Sequence, residues 1–134
     1  MRWLVKEEPT HYNFETFLSE RKTTWSGVRN PVAQRHLQSM TQGDHVFYYH
    51  TGNEKAVVGT ATVASAPYAD PADKTGKLFV VDLIVDRALA RPVTLAEIKA
   101  TPEFAEHPLS RIPRLSVMPI SDTQWAWIEK AATR

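Results

Sequence analysis

Short runs of hydrophobic residues, many of them β-branched, recur along the chain and predict several strands of modest length. Gly59 lies inside one such run, where a glycine predicts a β-bulge or the close approach of another segment. Residues 66–77 hold prolines, aspartates and a glycine, which predicts a loop. The strands are expected at residues 1–5, 45–50, 57–65, 78–87 and 114–120.

Between the strands, apolar residues at helical spacing follow good capping residues and predict short helices. Asn13 precedes the first helix, and Asn30-Pro31 combines a cap with a proline at the first helical position. Residues 94–97 and 121–124 match the capping-box pattern and open two further helices. The side chains expected to face the core are Phe14, Phe17 and Leu18 in the first helix, Val32, Leu37 and Met40 in the second, and Trp125, Ile128 and Ala132 in the last.

The order of these elements is strand, helices, three strands, helices, strand and helix. This order differs from the regular strand–helix alternation of a doubly wound sheet. We therefore expect an α+β fold, a small mixed or antiparallel barrel with peripheral helices, and one domain over residues 1–134.

Composition narrows the range of functions. The chain has 134 residues with 43% hydrophobic and 23% charged, which is typical of a globular domain. It has no cysteine, so disulfides and thiolate metal sites are excluded. The formal net charge is +1, which is far from the strongly basic footprint of a duplex-binding domain. No apolar run approaches the ~20 residues of a membrane span, and we expect a cytoplasmic protein without membrane contact.

The segment Trp25-Ser26-Gly27-Val28-Arg29-Asn30 is the strongest candidate for a binding site. An aromatic ring, a hydroxyl, a guanidinium and an amide within one turn can stack on a flat ring and bind its edge. The alternative is structural: a buried Trp25, a surface-paired Arg29 and an Asn30 that only caps a helix. The residues alone favour the structural alternative slightly.

The first strand adds a second group of candidates. Trp3 could form the other wall of an aromatic slot, Lys6 could meet a phosphate, and Glu7 could accept a hydrogen bond from a base amino group. The alternative is that Trp3 belongs to the core and that the charged residues form a solvated strand end.

Two further positions could border a ligand. His50, at the end of a predicted strand, could donate to a ligand or be satisfied within the fold. Arg114, Leu115 and Ser116 open the last predicted strand, and the arginine could contact a phosphate or form a surface ion pair.

Catalytic and metal-binding patterns are missing from the sequence. The histidines lack ligand spacing, and the chain has neither a phosphate-binding glycine loop nor a nucleophile elbow. We expect no cofactor and no metal. A binding domain is favoured, while a small nucleic-acid enzyme using Glu7 or His50 and a ligand-free interaction domain remain alternatives.

Six segments in register resemble the EVE domain family, a branch of the PUA-like superfamily related in fold to YTH domains. These segments are residues 3–9, 25–30, 43–51, 58–63, 91–95 and 114–120. The resemblance implies a PUA-like barrel of about five or six strands and a pocket for a modified base of DNA or RNA. The sequence itself gives no firm sign of the oligomeric state, and a monomer is our expectation. It implies that Trp25 is a pocket wall and that Ser26 and Asn30 supply polar contacts. It also implies that Trp3 and Lys6 lie at the pocket mouth, bordered by His50 and residues 114–116.

Overall fold

The computed structural model describes residues 1–134 and shows a mixed sheet flanked by short helices. The strands are β1 (Arg2–Glu7), β2 (Lys22–Trp25), β3 (His45–His50), β4 (Ala56–Val63), β5 (Tyr68–Ala69), β6 (Phe79–Thr94) and β7 (Val117–Ile120). The helices are α1 (Phe14–Glu20), α2 (Pro31–Gln38), α3 (Leu95–Lys99), α4 (Pro108–Arg111) and α5 (Asp122–Ala131), and a single 3₁₀ turn covers Pro102–Phe104.

The strands lie in the order β2-β6-β4-β3-β1-β7, with β5 paired to β6. β1 runs parallel to β3 and antiparallel to β7, so the sheet is mixed and the α+β prediction is confirmed. The sheet has seven strands, and its two end strands, β2 and β7, are not hydrogen-bonded to each other. The prediction of a closed barrel of five or six strands is therefore not confirmed, because the hydrogen-bonded path stays open.

The two additional strands have weak local signals. β2 carries lysine and threonines rather than an apolar run, and it is fixed by antiparallel pairing with a distant segment, such as Trp25 with Val81. β5 has two residues and lies inside the predicted loop, where Tyr68 pairs with Val80. Both strands depend on β6, so only tertiary pairing defines them.

β6 is longer than predicted because it continues past a bulge. Its pairing with β4 joins Gly59 to Ala88 and Val57 to Val93, so residues 89–92 bulge out from the ladder. Gly59 lies at this shift, and a Cβ there would overlap the ring of Phe14. Both expectations for Gly59, a bulge and a close approach, are confirmed.

The last strand begins later than predicted. Residues 114–116 precede β7, which starts at Val117. Pro108 stands at the first position of α4, and the ring of His107 accepts the Leu109 N–H at 3.0 Å. His107 and Pro108 start a short helix that the hydrophobic pattern did not predict. The chain joins the sheet only after this helix ends.

The predicted helix starts are confirmed by their caps. Asn13 accepts the Thr16 N–H, and both capping boxes form with reciprocal hydrogen bonds. Two predicted core residues are wrong, since Leu18 is 36% and Val32 is 40% exposed. Ala33 and Gln34 face inward instead of Val32, because α2 is rotated to hydrogen-bond Gln34 to the carbonyls of Val28 and Phe79.

The core lies between the sheet and the helices and joins 31 buried residues. Ile128 and Ala132 of the last helical segment are buried in it, and the indole of Trp125 stacks on Phe47 with 3.6 Å between ring centroids. None of the helices combines the length and the apolar character that crossing a bilayer requires.

Candidate functional site

A cleft of about 230 Å³ opens between the end of β1 and the end of β2. The turn that follows β1 closes its third side. We call it the Trp25 cleft. Its lining residues are Glu7, His11, Tyr12, Thr23, Thr24, Trp25 and Ser26.

Trp25 forms the inner wall of this cleft. It is the last residue of β2 and is only 5% exposed. Its indole meets the ring of Tyr48 edge-on, with 5.4 Å between centroids and an interplanar angle of 83°. Such perpendicular packing is favourable for aromatic pairs. The indole is thus anchored in the core and presents a small part of its surface to the cleft.

Tyr48 supports both Trp25 and the turn opposite it. Its hydroxyl donates to the backbone carbonyl of Tyr12, which belongs to the turn that closes the cleft. Burial, together with the charges of Glu7 and Tyr12, raises the pKa of Tyr48 above its usual range. The phenol therefore stays neutral and keeps its role as a donor.

Glu7 supplies the acidic group of the Trp25 cleft. Its Oε1 accepts the Glu8 N–H at 2.9 Å and lies 3.2 Å from Nδ1 of His11. Both contacts use the same oxygen, which leaves Oε2 available as an acceptor. Ser26 is exposed at the rim, where its hydroxyl is accessible. The cleft therefore combines an apolar wall, a held carboxylate and a hydroxyl.

The rest of the hexapeptide lies outside this cleft. Val28 is 6% exposed, and its carbonyl accepts from Gln34. Asn30 caps α2, where its Oδ1 accepts from the N–H groups of Val32 at 2.9 Å and Ala33 at 3.1 Å. Arg29 is exposed and forms no ion pair. The structure thus brings Trp25 and Ser26 to the cleft but not Val28, Arg29 or Asn30, because the backbone turns into the helix.

Trp3 is a core residue, which corrects its assignment as a second wall or mouth residue. It is 2% exposed, and its Nε1 donates to Asp44 at 2.9 Å. Trp3 and Glu7 share a face of β1, but four residues of strand separate them by ~13 Å. Burial opposes ionisation of Asp44, yet hydrogen bonds from the Met1 ammonium, Trp3 and Thr41 outweigh it and lower the pKa of Asp44.

Lys6 points to the opposite face of β1 from Glu7 and lines a different cleft. Its Nζ donates to the carbonyl of Pro113 at 3.2 Å and lies 5.5 Å from the ring centre of Tyr49. Burial, and then the charge of Lys99, lower the pKa of Lys6. Lys6 is therefore adjacent in sequence to Glu7, which lines the Trp25 cleft, but its own side chain lies outside that cleft.

His50 is occupied within the fold, which corrects its assignment as a ligand donor. Its Nε2 accepts the Phe14 N–H at 3.1 Å, and its Nδ1 lies 2.7 Å from a carboxylate oxygen of Glu54. This arrangement assigns the neutral ring with the proton on Nδ1. Both ring nitrogens are used, so none is left for a ligand.

None of the residues 114–116 lines the Trp25 cleft, which corrects their assignment as its border. Leu115 is 3% exposed, and the carbonyl of Ser116 accepts the Lys6 N–H at 2.9 Å. Arg114 is exposed, forms no ion pair and follows Pro113, a lining residue of the cleft that holds Lys6.

Sequence reasoning missed four lining residues of the Trp25 cleft, which are His11, Tyr12, Thr23 and Thr24. The Glu7–His11 spacing is a helical one, and the N–H groups of His11 and Tyr12 both hydrogen-bond to the Glu8 carbonyl. That spacing is the one local feature of the sequence that indicates a turn bringing His11 close to Glu7. No group of three or more His, Asp or Glu side chains converges in a position to hold a metal ion.

The mixed sheet with flanking short helices defines the class as an α+β domain, here with a small cleft that combines an aromatic wall and a carboxylate. The particular family follows from comparison with known proteins. The EVE domain model matches residues 1–131, and the chain belongs to the EVE domain family.

Relatives of known structure share the whole architecture. The NMR structure of a Rhodopseudomonas palustris protein has 38% sequence identity and a TM-score of 0.93, covering 98% of this chain and 92% of that one. Human thymocyte nuclear protein 1 is 26% identical over 160 residues, which span 94% of this chain and 71% of the human protein. A crystal structure of human THYN1 in complex with 5-methylcytosine-containing DNA has a TM-score of 0.90 at 23% identity and covers 99% of this chain and 98% of that one.

Proposed function

We propose that this chain is a DNA-binding domain that recognises a modified base, of the 5-methylcytosine kind, in the Trp25 cleft. The observation that carries the proposal is the convergence of Trp25, Glu7 and Ser26 on one cleft of about 230 Å³. Membership of the EVE domain family, with a human relative crystallised with 5-methylcytosine-containing DNA, supports the choice of ligand.

The cleft chemistry suits a base with an exocyclic amino group. Cytosine presents its N4 amino group as a donor, and a glutamate oxygen is a suitable acceptor for it. Oε2 of Glu7 is available for this contact, because Oε1 is already held by Glu8 and His11. The Ser26 hydroxyl can donate to a ring nitrogen or a carbonyl oxygen of the base. The indole of Trp25 offers the apolar surface that a methyl group prefers.

The size of the cleft favours one base. Its volume of about 230 Å³ is below the range of about 300–1,000 Å³ for pockets that hold drug-sized ligands. A base in a duplex must leave the stack to enter such a cleft, at a cost of about a few kcal/mol. Trp25 exposes 5% of its surface, so its contact with a base is limited to the part of the indole that faces the cleft.

The proposal assigns a binding role rather than a catalytic one, and it requires one copy of the chain. The three residues that the proposal uses, Trp25, Glu7 and Ser26, lie together in a single copy of the chain. With its oxygens directed at a base edge, Glu7 acts as a hydrogen-bond acceptor and transfers no proton.

The test is equilibrium binding of oligonucleotides that differ only in one cytosine or 5-methylcytosine. We expect Glu7→Gln to weaken binding of the methylated oligonucleotide roughly 10- to 100-fold, since a hydrogen bond to a charged group contributes about 1.5–3 kcal/mol. Glu15→Gln changes an exposed carboxylate outside the Trp25 cleft and serves as the matched control.

Trp25→Ala is a second variant, but deletion of a buried tryptophan costs about 3–5 kcal/mol of stability. Trp25→Phe retains an aromatic ring and is the variant to compare once circular dichroism shows a folded protein. If Glu7→Gln binds both oligonucleotides as the wild type does, or if the wild type does not distinguish them, the Trp25 cleft is not a modified-base site.

A further inference from the structure

A second cleft of about 230 Å³ lies on the other face of β1, at the same end of the strand as the Trp25 cleft. The strand end, the turn after β3, and helices α3 and α4 build its walls. We call it the lysine cleft. The polar residues that matter here are Lys6, Tyr49, Thr51, Lys55, Lys99 and Ser110.

Three ammonium groups converge on the lysine cleft without a counter-ion. Lys6 is half-buried, while Lys55 and Lys99 are exposed. None of the three forms an ion pair within the chain. Glu8 lies at the rim, where Oε2 accepts from the Thr51 hydroxyl at 3.4 Å, and it is not paired with any of these lysines. Burial and then the charge of Lys99 lower the pKa of Lys6, so the two ammonium groups are close enough to repel each other.

Ser110 provides an independent sign that the lysine cleft binds a ligand. Its Oγ is the one buried side-chain nitrogen or oxygen in the protein without a hydrogen-bond partner. A buried hydroxyl left unpaired costs about 1–3 kcal/mol, and such groups are rare in folded proteins. Ser110 lines the lysine cleft, so a ligand oxygen there would supply the missing partner.

We propose that the lysine cleft binds a phosphate group of the same nucleic-acid strand whose base occupies the Trp25 cleft. Lysine ammonium groups bind phosphate as point charges, and the hydroxyl of Ser110 adds a neutral donor. Lys6 and Glu7 are consecutive residues whose side chains point to opposite faces of β1. One strand that crosses the end of β1 therefore reaches both clefts.

This assignment deepens the proposed base site and rests on it. It explains how a chain with a net charge of +1 can hold a polyanion, since the positive charge is concentrated beside the base site. It also separates two tasks, because the Trp25 cleft contacts the base and the lysine cleft positions the backbone.

The experiment compares a single-stranded oligonucleotide carrying one 5-methylcytosine with the free nucleoside over a series of salt concentrations. For Lys55→Gln/Lys99→Gln, we expect the slope of log K against log[salt] to become shallower by ~1.4, about 0.7 per lost phosphate contact. Nucleoside affinity should stay at the wild-type value. Lys74→Gln/Lys130→Gln removes the same charge from exposed positions outside the lysine cleft and should leave the slope unchanged.

Ser110→Ala gives a test without a change of charge. Its hydroxyl is buried without a partner in the protein, so the variant should melt at or above the wild-type temperature and bind the oligonucleotide roughly 2- to 10-fold more weakly. A drop in melting temperature together with unchanged oligonucleotide affinity would overturn the role of Ser110 in binding.

The outcomes separate the two proposals. If the wild type prefers the methylated base but Lys55→Gln/Lys99→Gln keeps the wild-type slope, the lysine cleft assignment is overturned and the base site stands. If the slope falls as expected but cytosine and 5-methylcytosine bind equally, the base site is overturned and the phosphate contact stands. Titration with inorganic phosphate distinguishes the source: phosphate binding lost in the double variant, with an unchanged oligonucleotide slope, would assign the cleft to a free anion instead.

Discussion

The indole N–H of Trp3 donates to Asp44, 41 positions further along the chain, at 2.9 Å. Asp44 is 7% exposed and also accepts the Thr41 N–H at 2.9 Å. This contact ties the first strand to the turn that leads into β3. Trp3 is thereby part of the core and is not available to contact a ligand.

Trp3→Phe should lower stability without changing the binding of a modified base. The variant removes one of three hydrogen bonds to the Asp44 carboxylate, and a hydrogen bond to a charged group contributes about 1.5–3 kcal/mol. Urea unfolding measures the loss, and titration with the methylated oligonucleotide measures binding. Unchanged stability with reduced affinity would instead indicate that Trp3 contacts the ligand.

Residues next to each other in sequence were the hardest to assign to a site. Lys6 and Glu7 are both candidates in the sequence. Strand alternation correctly implies that their side chains point to opposite faces of β1, but it does not show which face carries a given cleft. Trp25 and Ser26 belong to the Trp25 cleft, whereas Asn30 is a helix cap, the structural alternative that its position before Pro31 also supported.

Elements with strong local signals were predicted well. The caps at residues 94–97 and 121–124 and the bulge at Gly59 depend on short-range chemistry and are confirmed. β2 was missed because residues 22–25 become a strand only by pairing with β6. Five of the seven lining residues of the Trp25 cleft belong to that strand or to the turn at residues 8–12, so its full lining could not be assigned from the sequence.

Gly59→Ala should destabilise the protein through packing. The added Cβ would overlap the ring of Phe14, which belongs to α1 and is 4% exposed. Overfilling a packed core costs about 1–3 kcal/mol. Thermal unfolding of Gly59→Ala, of Phe14→Leu and of the double variant completes a double-mutant cycle. The smaller leucine should relieve part of the cost, so additive effects of the two substitutions would contradict the proposed clash.

His50→Ala should destabilise α1 without changing the affinity for the ligand. The substitution leaves the buried Phe14 N–H without its acceptor, which costs about 1–3 kcal/mol. Hydrogen exchange should show faster exchange in α1, and affinity for the methylated oligonucleotide should remain that of the wild type at a temperature where both are folded. His45→Ala changes an exposed histidine of the same strand and is the control. Loss of affinity in His50→Ala with unaltered exchange would indicate a direct ligand contact.

The ionisation of Glu97 makes part of the free energy of unfolding depend on pH. Hydrogen bonds from Arg91, at 2.6 Å, and then from the Thr94 backbone lower the pKa of Glu97 from 4.5 to about 2. A carboxyl whose pKa is lower in the folded state contributes stability that is fully present above its unfolded value, 4.5. That contribution is lost as the pH falls from 4.5 towards about 2, because the unfolded chain binds the proton first.

Glu97→Gln should therefore show a shallower fall of unfolding free energy across this pH interval than the wild type. Glutamine can still accept the Thr94 N–H, so the helix start survives and the ionisable group alone is removed. Arg91→Gln should give a similarly flattened profile, because it removes the first cause of the lowered pKa. The measurement is the urea midpoint as a function of pH.

Since about a third of each side chain of the pair is exposed, added salt should reduce the difference between the wild type and both variants. Parallel profiles for wild type and Glu97→Gln would show that this carboxylate is not linked to folding.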